Sequence, residues 1–417
     1  MGSLWHPFSD MGAVESGGEF VIERGEGVHV YDTQGRRYLD ATAGLWFTNV
    51  GHGRAELAEA AAEQMRTIAA YSTFGDYATV PTLELADRLE AIAPVPGSKI
   101  FLTSGGSDSV DTAAKMARRY WVEQGRPEKT VLLSRSKAYH GMHYAGTALA
   151  GIPGNREGYG ELVPDSTAQV EWDSAEELRS TIERIGADKI AAFFCEPVIG
   201  AGGVYPPPEG YLTEVRKVCT EHDILFVADE VVTGYGRIGG SWFASSRFGL
   251  EPDLVTTAKG LTSGYAPMGA VLVAPRVWEP FFRTGAGVWF RHGYTYSGHA
   301  MASAVALANL DLLEREGLVE EAARLEQTLD ERIGALADHE RVVEVRSGVG
   351  AVAAIQLENP PAAMQFAARV RDFGIATRAC GAGAIQISPS FTMTDDEVGE
   401  LADTFREALD APVEAGS

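Results

Sequence analysis

The chain has 417 residues, 45% of them hydrophobic, which is enough for a large core and, by length, two or three domains. Its 58 acidic and 35 basic residues leave a formal net charge of -23, which argues against the basic face that non-specific nucleic-acid binding requires. Three separated cysteines, Cys195, Cys219 and Cys380, form no CxxC pair, so neither a disulfide framework nor a metal site is expected and a reducing cytoplasm fits. The stretch from Met1 to Asp10 lacks a basic and then an apolar run, so no signal peptide is read there. Apolar runs such as Ile190–Cys195 and Ile224–Ala228 are too short to cross a bilayer, and no membrane partner is expected.

In chain order, Val28–Leu39 reads as a hairpin, with β-rich runs around the polar turn Asp32–Gly35. Leu57–Ile68 and Pro81–Ile92 read as helices, the second with its proline in the tolerant first turn. From Lys99 onward strands and helices alternate. Lys99–Thr103, Thr130–Ser134, Ile190–Cys195, Ile224–Ala228, Leu254–Thr257 and Gly269–Ala274 read as strands. Val110–Trp121, Ala175–Ile185 and Tyr211–His222 read as helices between them. Short apolar strands separated by amphipathic helices imply an α/β fold with a mostly parallel sheet covered on both faces. His299–Glu316 and Leu318–His339 are long helical stretches. The remainder mixes strands at Val342–Val345, Ala351–Leu357 and Ala384–Ile387 with two helices, which points to a smaller α+β domain. Asp410–Ser417 reads as a frayed tail. The expected division is an N-terminal segment 1–50 belonging partly to the small domain, a large domain 51–310 and a small domain 311–417.

Ligands of open parallel sheets sit beyond the carboxyl ends of the strands. Four strand ends carry suggestive residues. After Lys99–Thr103 comes Ser104-Gly105-Gly106-Ser107-Asp108 and then a helix, a turn suited to an anion and equally to an ordinary N-cap. After Thr130–Ser134 comes Tyr139-His140-Gly141, where an aromatic could stack on a flat ring or pack on the surface. After Ile224–Ala228 comes Asp229, costly to bury unless paired, with a cationic ring nitrogen or a simple salt bridge as partner. After Leu254–Thr257 comes Lys259 between Ala258 and Gly260, a candidate for Schiff-base chemistry where a random lysine would snorkel to solvent. Each has a plain structural reading alone. Together a phosphate seat, a stacking ring, an acid for a ring nitrogen and an aldehyde-trapping lysine describe one cofactor, pyridoxal phosphate. A nicotinamide dehydrogenase would need a glycine fingerprint that is not present.

At these residues the chain resembles the class III aminotransferases of fold type I. The likeness is carried by FLTSGGSDSVDTAAKMARRYW, KAYHGMHYAGTALAG, AAFFCEPVIGAGGVYPPPEGY, ILFVADEVVTGYGRIG, PDLVTTAKGLTSGYAPMGAVLV and GYTYSGHAMASAVALANL, and it extends through LWHPFSDM, GLWFTNVGHGR and ATRACGAGAIQISPS. Within that family it looks most like the ω-transaminases, the amine–pyruvate and β-alanine–pyruvate branch. The resemblance implies that Lys259 forms the internal aldimine and shuttles the proton, and that Asp229 pairs with the pyridinium nitrogen. It implies that Tyr139 and Val231 sandwich the ring, and that Gly106 and Ser107 hold the phosphate. His140 and Glu196 would complete the cofactor set, Glu196 near the ring substituents and often paired with an arginine. Thr295 would reach the phosphate of a neighbouring subunit, implying a homodimer or tetramer with shared active sites. Phe8, Trp46 and Phe47 would line the substrate pocket, and Arg378 would pair with the carboxylate of the acceptor. The expected reaction is a ping-pong transfer from an amine or ω-amino acid to an oxo acid such as pyruvate. Its rivals are a decarboxylase, aminomutase or phosphoamine lyase on the same scaffold, or a catalytically idle relative. Departures from the family pattern, Ala382 where an aspartate is usual and Ser390 where a second proline is usual, fall on the substrate side.

Overall fold

The computed structural model describes residues 3–160, 162–163, 166–285 and 287–412. Val131–Arg135, Ile190–Cys195, Leu225–Asp229 and Leu254–Thr257 are buried from end to end. Strands without polar alternation have no face to give to water, so they belong at the centre of a covered sheet. They lie there side by side and in parallel. The seven-stranded order is Lys99–Thr103, Gly269–Val273, Leu254–Thr257, Leu225–Asp229, Ile190–Cys195, Val131–Arg135 and Thr167–Val170. Gly269–Val273 runs antiparallel to both of its neighbours, and the other pairings in the sheet are parallel. This is the large, parallel-rich sheet of fold type I.

The helix Gly106–Glu123 covers one face. Its Val110, Ala113, Ala117 and Trp121 pack against Leu132, Phe194, Leu225 and Val227 from the strands. The Trp121 indole N–H donates to the Ala191 carbonyl at 2.8 Å, which satisfies its one polar atom inside the core. This helix starts four residues before the expected Val110, because the apolar stripe marks only the buried turns and the first turn faces a cavity.

Two smaller sheets flank the large one. Ile22–Glu26, His29–Asp32 and Arg37–Asp40 form an antiparallel set, and Ile375–Ala376 joins it in parallel beside Arg37–Asp40. Glu344–Arg346, Ala353–Gln356, Ala384–Ile387 and Ala379–Cys380 form an antiparallel sheet. The helices Leu318–Gly334, Pro360–Arg369 and Asp395–Asp410 accompany it. Leu318–His339 is not one helix. The α-helix ends at Gly334 and Ala335–Asp338 tightens into a 3₁₀ turn. Asp410 closes the last helix, which begins with a capping box between Thr394 and Glu397. Residues 413–417 of the expected tail lie outside the described residues.

Arg237, fully buried, ties these parts together. Its guanidinium donates to the carbonyls of Ala351 and Pro389 at 3.1 and 2.6 Å and to Asn49 Oδ1 at 2.6 Å. Every acceptor is neutral, and burial pulls its pKa down to about 9.

Candidate active site

The segments at four strand ends and one helix start meet at a cavity of about 130 Å³. Its lining includes Gly106, Ser107, Tyr139, His140, Glu196, Asp229, Val231 and Lys259. All eight were expected from sequence to serve the cofactor.

The helix Gly106–Glu123 opens on the cavity, and its N-cap Gly105 makes no side-chain cap bond. The first-turn N–H groups therefore stay available, and the helix dipole adds positive potential there. Ser107 Oγ accepts from the Met142 N–H at 3.2 Å, leaving the hydroxyl hydrogen free to donate outward. Two glycines keep this seat open. A Cβ on Gly106 would lie 2.9 Å from Val231 Cγ1, and one on Gly141, at φ +82°, would lie 2.5 Å from Ser107 Oγ.

Asp229 and Glu230 are neighbours with opposite fates. Alternation along a strand sends them to opposite sides. Asp229 faces the cavity. Its Oδ2 accepts from His140 Nδ1 at 2.7 Å and its Oδ1 from the Val231 N–H at 3.2 Å. A carboxylate only accepts, so the imidazole carries its hydrogen on Nδ1. Glu230 turns away and accepts from the N–H groups of Ala244 and Ser245 at 2.6 and 2.8 Å, holding the start of a short helix. Burial raises its pKa.

Glu196 accepts from the Tyr139 N–H through Oε1 and from the Gly200 N–H through Oε2, each at 2.9 Å. Burial is the largest influence on its pKa and pushes it up. Sequence reading expected an arginine against this carboxylate. The buried Arg135 instead donates to the Glu196 backbone carbonyl, and among the described residues the carboxylate's partners are backbone amides. Two fixed N–H dipoles satisfy a buried carboxylate without a second charge to desolvate.

Lys259 follows the strand Leu254–Thr257 at φ +36°, a backbone region that L side chains rarely adopt. Its loop is pinned from behind. Asn309 Nδ2 donates to the carbonyls of Gly260 and Leu261 at 2.9 and 3.0 Å. A Cβ on Gly260 would lie 2.5 Å from Asn49 Nδ2. Burial lowers the Lys259 pKa from 10.5 to about 8, Asp229 and Glu196 opposing that shift and Arg378 adding to it.

The substrate-side residues are more scattered. The Phe8 ring is exposed and stands 6.5 Å from the Tyr139 ring. Trp46 is buried beside Val204, Val352, Ala354 and Ala384, with its indole N–H unpartnered. Ala43, Gly44 and Trp46 all have positive φ, so this wall is a strained turn. Phe47 is half-buried, wedged so closely that a Cβ on Gly44 or Gly264 would touch its ring. Arg378 lies close enough to Tyr139 and Lys259 to act on both electrostatically. Thr295 is outside the cavity, on an exposed turn beside the exposed Tyr296. Sequence reading missed Val110, Gly141, Val232 and Ala258 in the lining, although the last three adjoin residues it had chosen.

This donor set fits pyridoxal phosphate. An anion seat at a helix start, a carboxylate fixed by a histidine, a flat slot between Tyr139 and Val231 and a lysine with a lowered pKa share one cavity. Among the described residues no group of three or more metal-ligating side chains is present, and no helix is long and apolar enough to cross a membrane.

Comparison with known proteins agrees. The class III aminotransferase family model matches residues 12–409. The chain is 40% identical to a putrescine–pyruvate aminotransferase of Pseudomonas aeruginosa, over 97% of this chain and 93% of that one. It is 35% identical to the β-alanine–pyruvate aminotransferase of the same organism, over 97% and 95%. Among solved structures, an ω-transaminase of Pseudomonas jessenii in complex with PMP superposes with a TM-score of 0.92 at 36% identity, covering 98% and 96%.

Proposed function

This chain belongs to the class III aminotransferases, and we propose how its own residues divide the work of moving an amino group from an amine or ω-amino acid to an oxo acid. The observation that carries the proposal is the convergence of Lys259, Asp229 and Ser107 on one cavity, with Arg378 within electrostatic reach of Lys259.

Pyridoxal phosphate, when bound, supplies the electron sink that takes up the pair left when the substrate carbon loses its proton. Lys259 Nζ would take that proton and give it back two atoms away, across the nitrogen, the 1,3 shift that transamination requires. With a pKa near 8 about half of this amine is neutral at pH 8, where an ordinary lysine at 10.5 would be almost wholly protonated. Asp229, oriented by His140, presents carboxylate oxygen to a ring N–H and keeps that hydrogen in place. Ser107 and the helix start hold the phosphate, and Tyr139 and Val231 flank the ring. Glu196 fixes the Tyr139 backbone so that the aromatic stays in register. Arg378 offers a planar fork to the acceptor's carboxylate. Phe8, Trp46 and Phe47 form an apolar wall for the rest of the donor or acceptor.

The proposal extends to assembly. Thr295 sits on a surface with exposed Tyr296, Phe74 and Tyr77, and this surface suits a second copy whose phosphate Thr295 would reach. Sedimentation of the purified protein checks the homodimer, and a tetramer would appear in the same run. Three free cysteines fit a cytoplasmic setting. The division 1–50, 51–310 and 311–417 is part of the same reading, supported by the sheet that Ile375–Ala376 completes beside Arg37–Asp40.

The decisive experiment is the half-reaction. Holoenzyme given a primary amine without oxo acid should release one carbonyl product per site and stop, then make alanine when pyruvate is added. Carbon dioxide from an amino acid, a rearranged amine, or free phosphate from a phosphoamine offered in its place would overturn transamination in favour of the rival chemistries.

A further inference from the structure

Arg378 sits between the two-residue strands Ile375–Ala376 and Ala379–Cys380. Its Nε donates to Gln386 Oε1 at 2.6 Å, and no described residue accepts from its Nη1 or Nη2. Gln386 is fully buried on the strand Ala384–Ile387. An amide there costs stability unless it repays its burial in hydrogen bonds.

The amide cannot turn over. Gln386 Nε2 donates to Ser388 Oγ at 2.8 Å, and that hydroxyl donates to the Thr42 carbonyl at 3.2 Å. The hydroxyl hydrogen is thereby spent, so Oγ offers Gln386 only lone pairs, and the amide oxygen must face Arg378. The backbone reinforces this register, with the Gln386 N–H donating to the Arg378 carbonyl at 3.0 Å and Thr377 Oγ1 to the Gln386 carbonyl at 2.7 Å. The result is a one-way chain of donors from Arg378 to Thr42, which begins the strained wall leading to Trp46.

A neutral anchor differs from a charged one. A carboxylate at this position would form a buried ion pair with the guanidinium and compete with any carboxylate entering from the cavity. An amide oxygen holds Nε in place and leaves the positive charge and both outer N–H pairs unspent. We infer that Gln386 is the positioning residue that aims Arg378 at the carboxylate of the oxo-acid acceptor while leaving its charge free. This rests on the acceptor-binding role proposed for Arg378.

The test uses holoenzyme carrying Gln386→Glu, Gln386→Met or, as reference, Arg378→Leu. Steady-state kinetics are measured with pyruvate and with benzylamine as the apolar donor probe. Calorimetry with propionate, a carboxylate that cannot react, reads affinity alone between pH 6 and 9. Gln386→Glu should raise the pyruvate KM and the propionate Kd about tenfold, with kcat and the benzylamine KM within about twofold. Gln386→Met, close in shape and without an acceptor, should weaken propionate about threefold. If Arg378→Leu binds propionate like the parent, the reading of Arg378 itself fails. If Arg378→Leu weakens propionate but both Gln386 variants do not, only the role of Gln386 is overturned. A loss shared equally by pyruvate and benzylamine overturns it too, because that is the mark of a merely structural residue.

Discussion

The cofactor half and the substrate half of the site are built differently. In the first, Asp229, Glu196 and His140 are each nine-tenths or more buried and each hydrogen-bonded, the two acids at the ends of central strands and His140 in the loop after Val131–Arg135, tied to Asp229. In the second, the wall Ala43–Phe47 has Ala43, Gly44 and Trp46 at positive φ, Phe8 lies in the open and Arg378, between two two-residue strands, is held by one side-chain hydrogen bond. Groups that must hold one geometry through every turnover stand on rigid elements, and groups that must accept unlike substrates stand on loops.

That contrast can be broken most sharply at Lys259. Lys259→Ala should cut turnover at least about 1000-fold for every donor and acceptor alike, because it removes the base common to both half-reactions. A normal rate in this variant would sink the mechanism. Next in size, Asp229→Asn should lower kcat about 100-fold, again without regard to substrate, as the oriented charge at the ring nitrogen is lost; stopped-flow half-reactions with two unlike amines check that uniformity. Arg378→Leu should act selectively. The KM for pyruvate should rise about 50-fold through loss of a paired guanidinium contact, while the KM for an apolar amine holds. An equal effect on both substrates would erase the distinction between the two halves.

The last effect is on stability and leaves turnover aside. Burial penalises the protonated Lys259, whose pKa falls to about 8 from 10.5. Below pH 8 folded and unfolded chains both carry the proton, so the folded state bears the whole penalty. Between pH 8 and 10.5 only the unfolded chain keeps it, and stability rises with pH through that window. Cofactor-free Lys259→Met should therefore exceed the parent in stability by about 3 kcal/mol at pH 7, the gap closing by about pH 10.5. Urea melts of the two proteins across that range decide it. A gap independent of pH would mean that packing, and not charge, sets the difference.

The same contrast explains what was legible in the sequence. The strand Ile190–Cys195 announces itself as an unbroken apolar run and Leu254–Thr257 as a short, largely β-branched one, and Glu196 and Lys259 follow them by one and two steps. So Asp229, Lys259 and the Ser107 turn could be picked out before any contact was known. Ile22–Glu26 and Thr167–Val170 were missed because edge strands bury little and keep no clear period: Val170 alone is buried in the second. Gln386 is silent for another reason. Within Ala384–Ile387 it is one polar residue in an apolar strand, and only the approach of Ser388 to Thr42, 346 residues away in sequence, gives it a partner and a direction. The expected arginine beside Glu196 failed likewise, because whether a buried acid meets a guanidinium or two backbone amides depends on a loop closing three dimensions away.

The pairing of Leu39 with Ile375 has a consequence in time as well as in space. A ribosome delivers the N-terminal hairpin first, yet its fourth strand is among the last segments made. The seven strands from Lys99 to Val273 come between, and they can find one another by shorter connections. On a growing chain the residues lining the cavity around Ser107, Asp229 and Lys259 all emerge before the segment bearing Arg378 and Gln386, and domain-wise folding would complete the cavity first. With the roles proposed for these residues, the chain would be able to hold its cofactor before it could choose its acceptor.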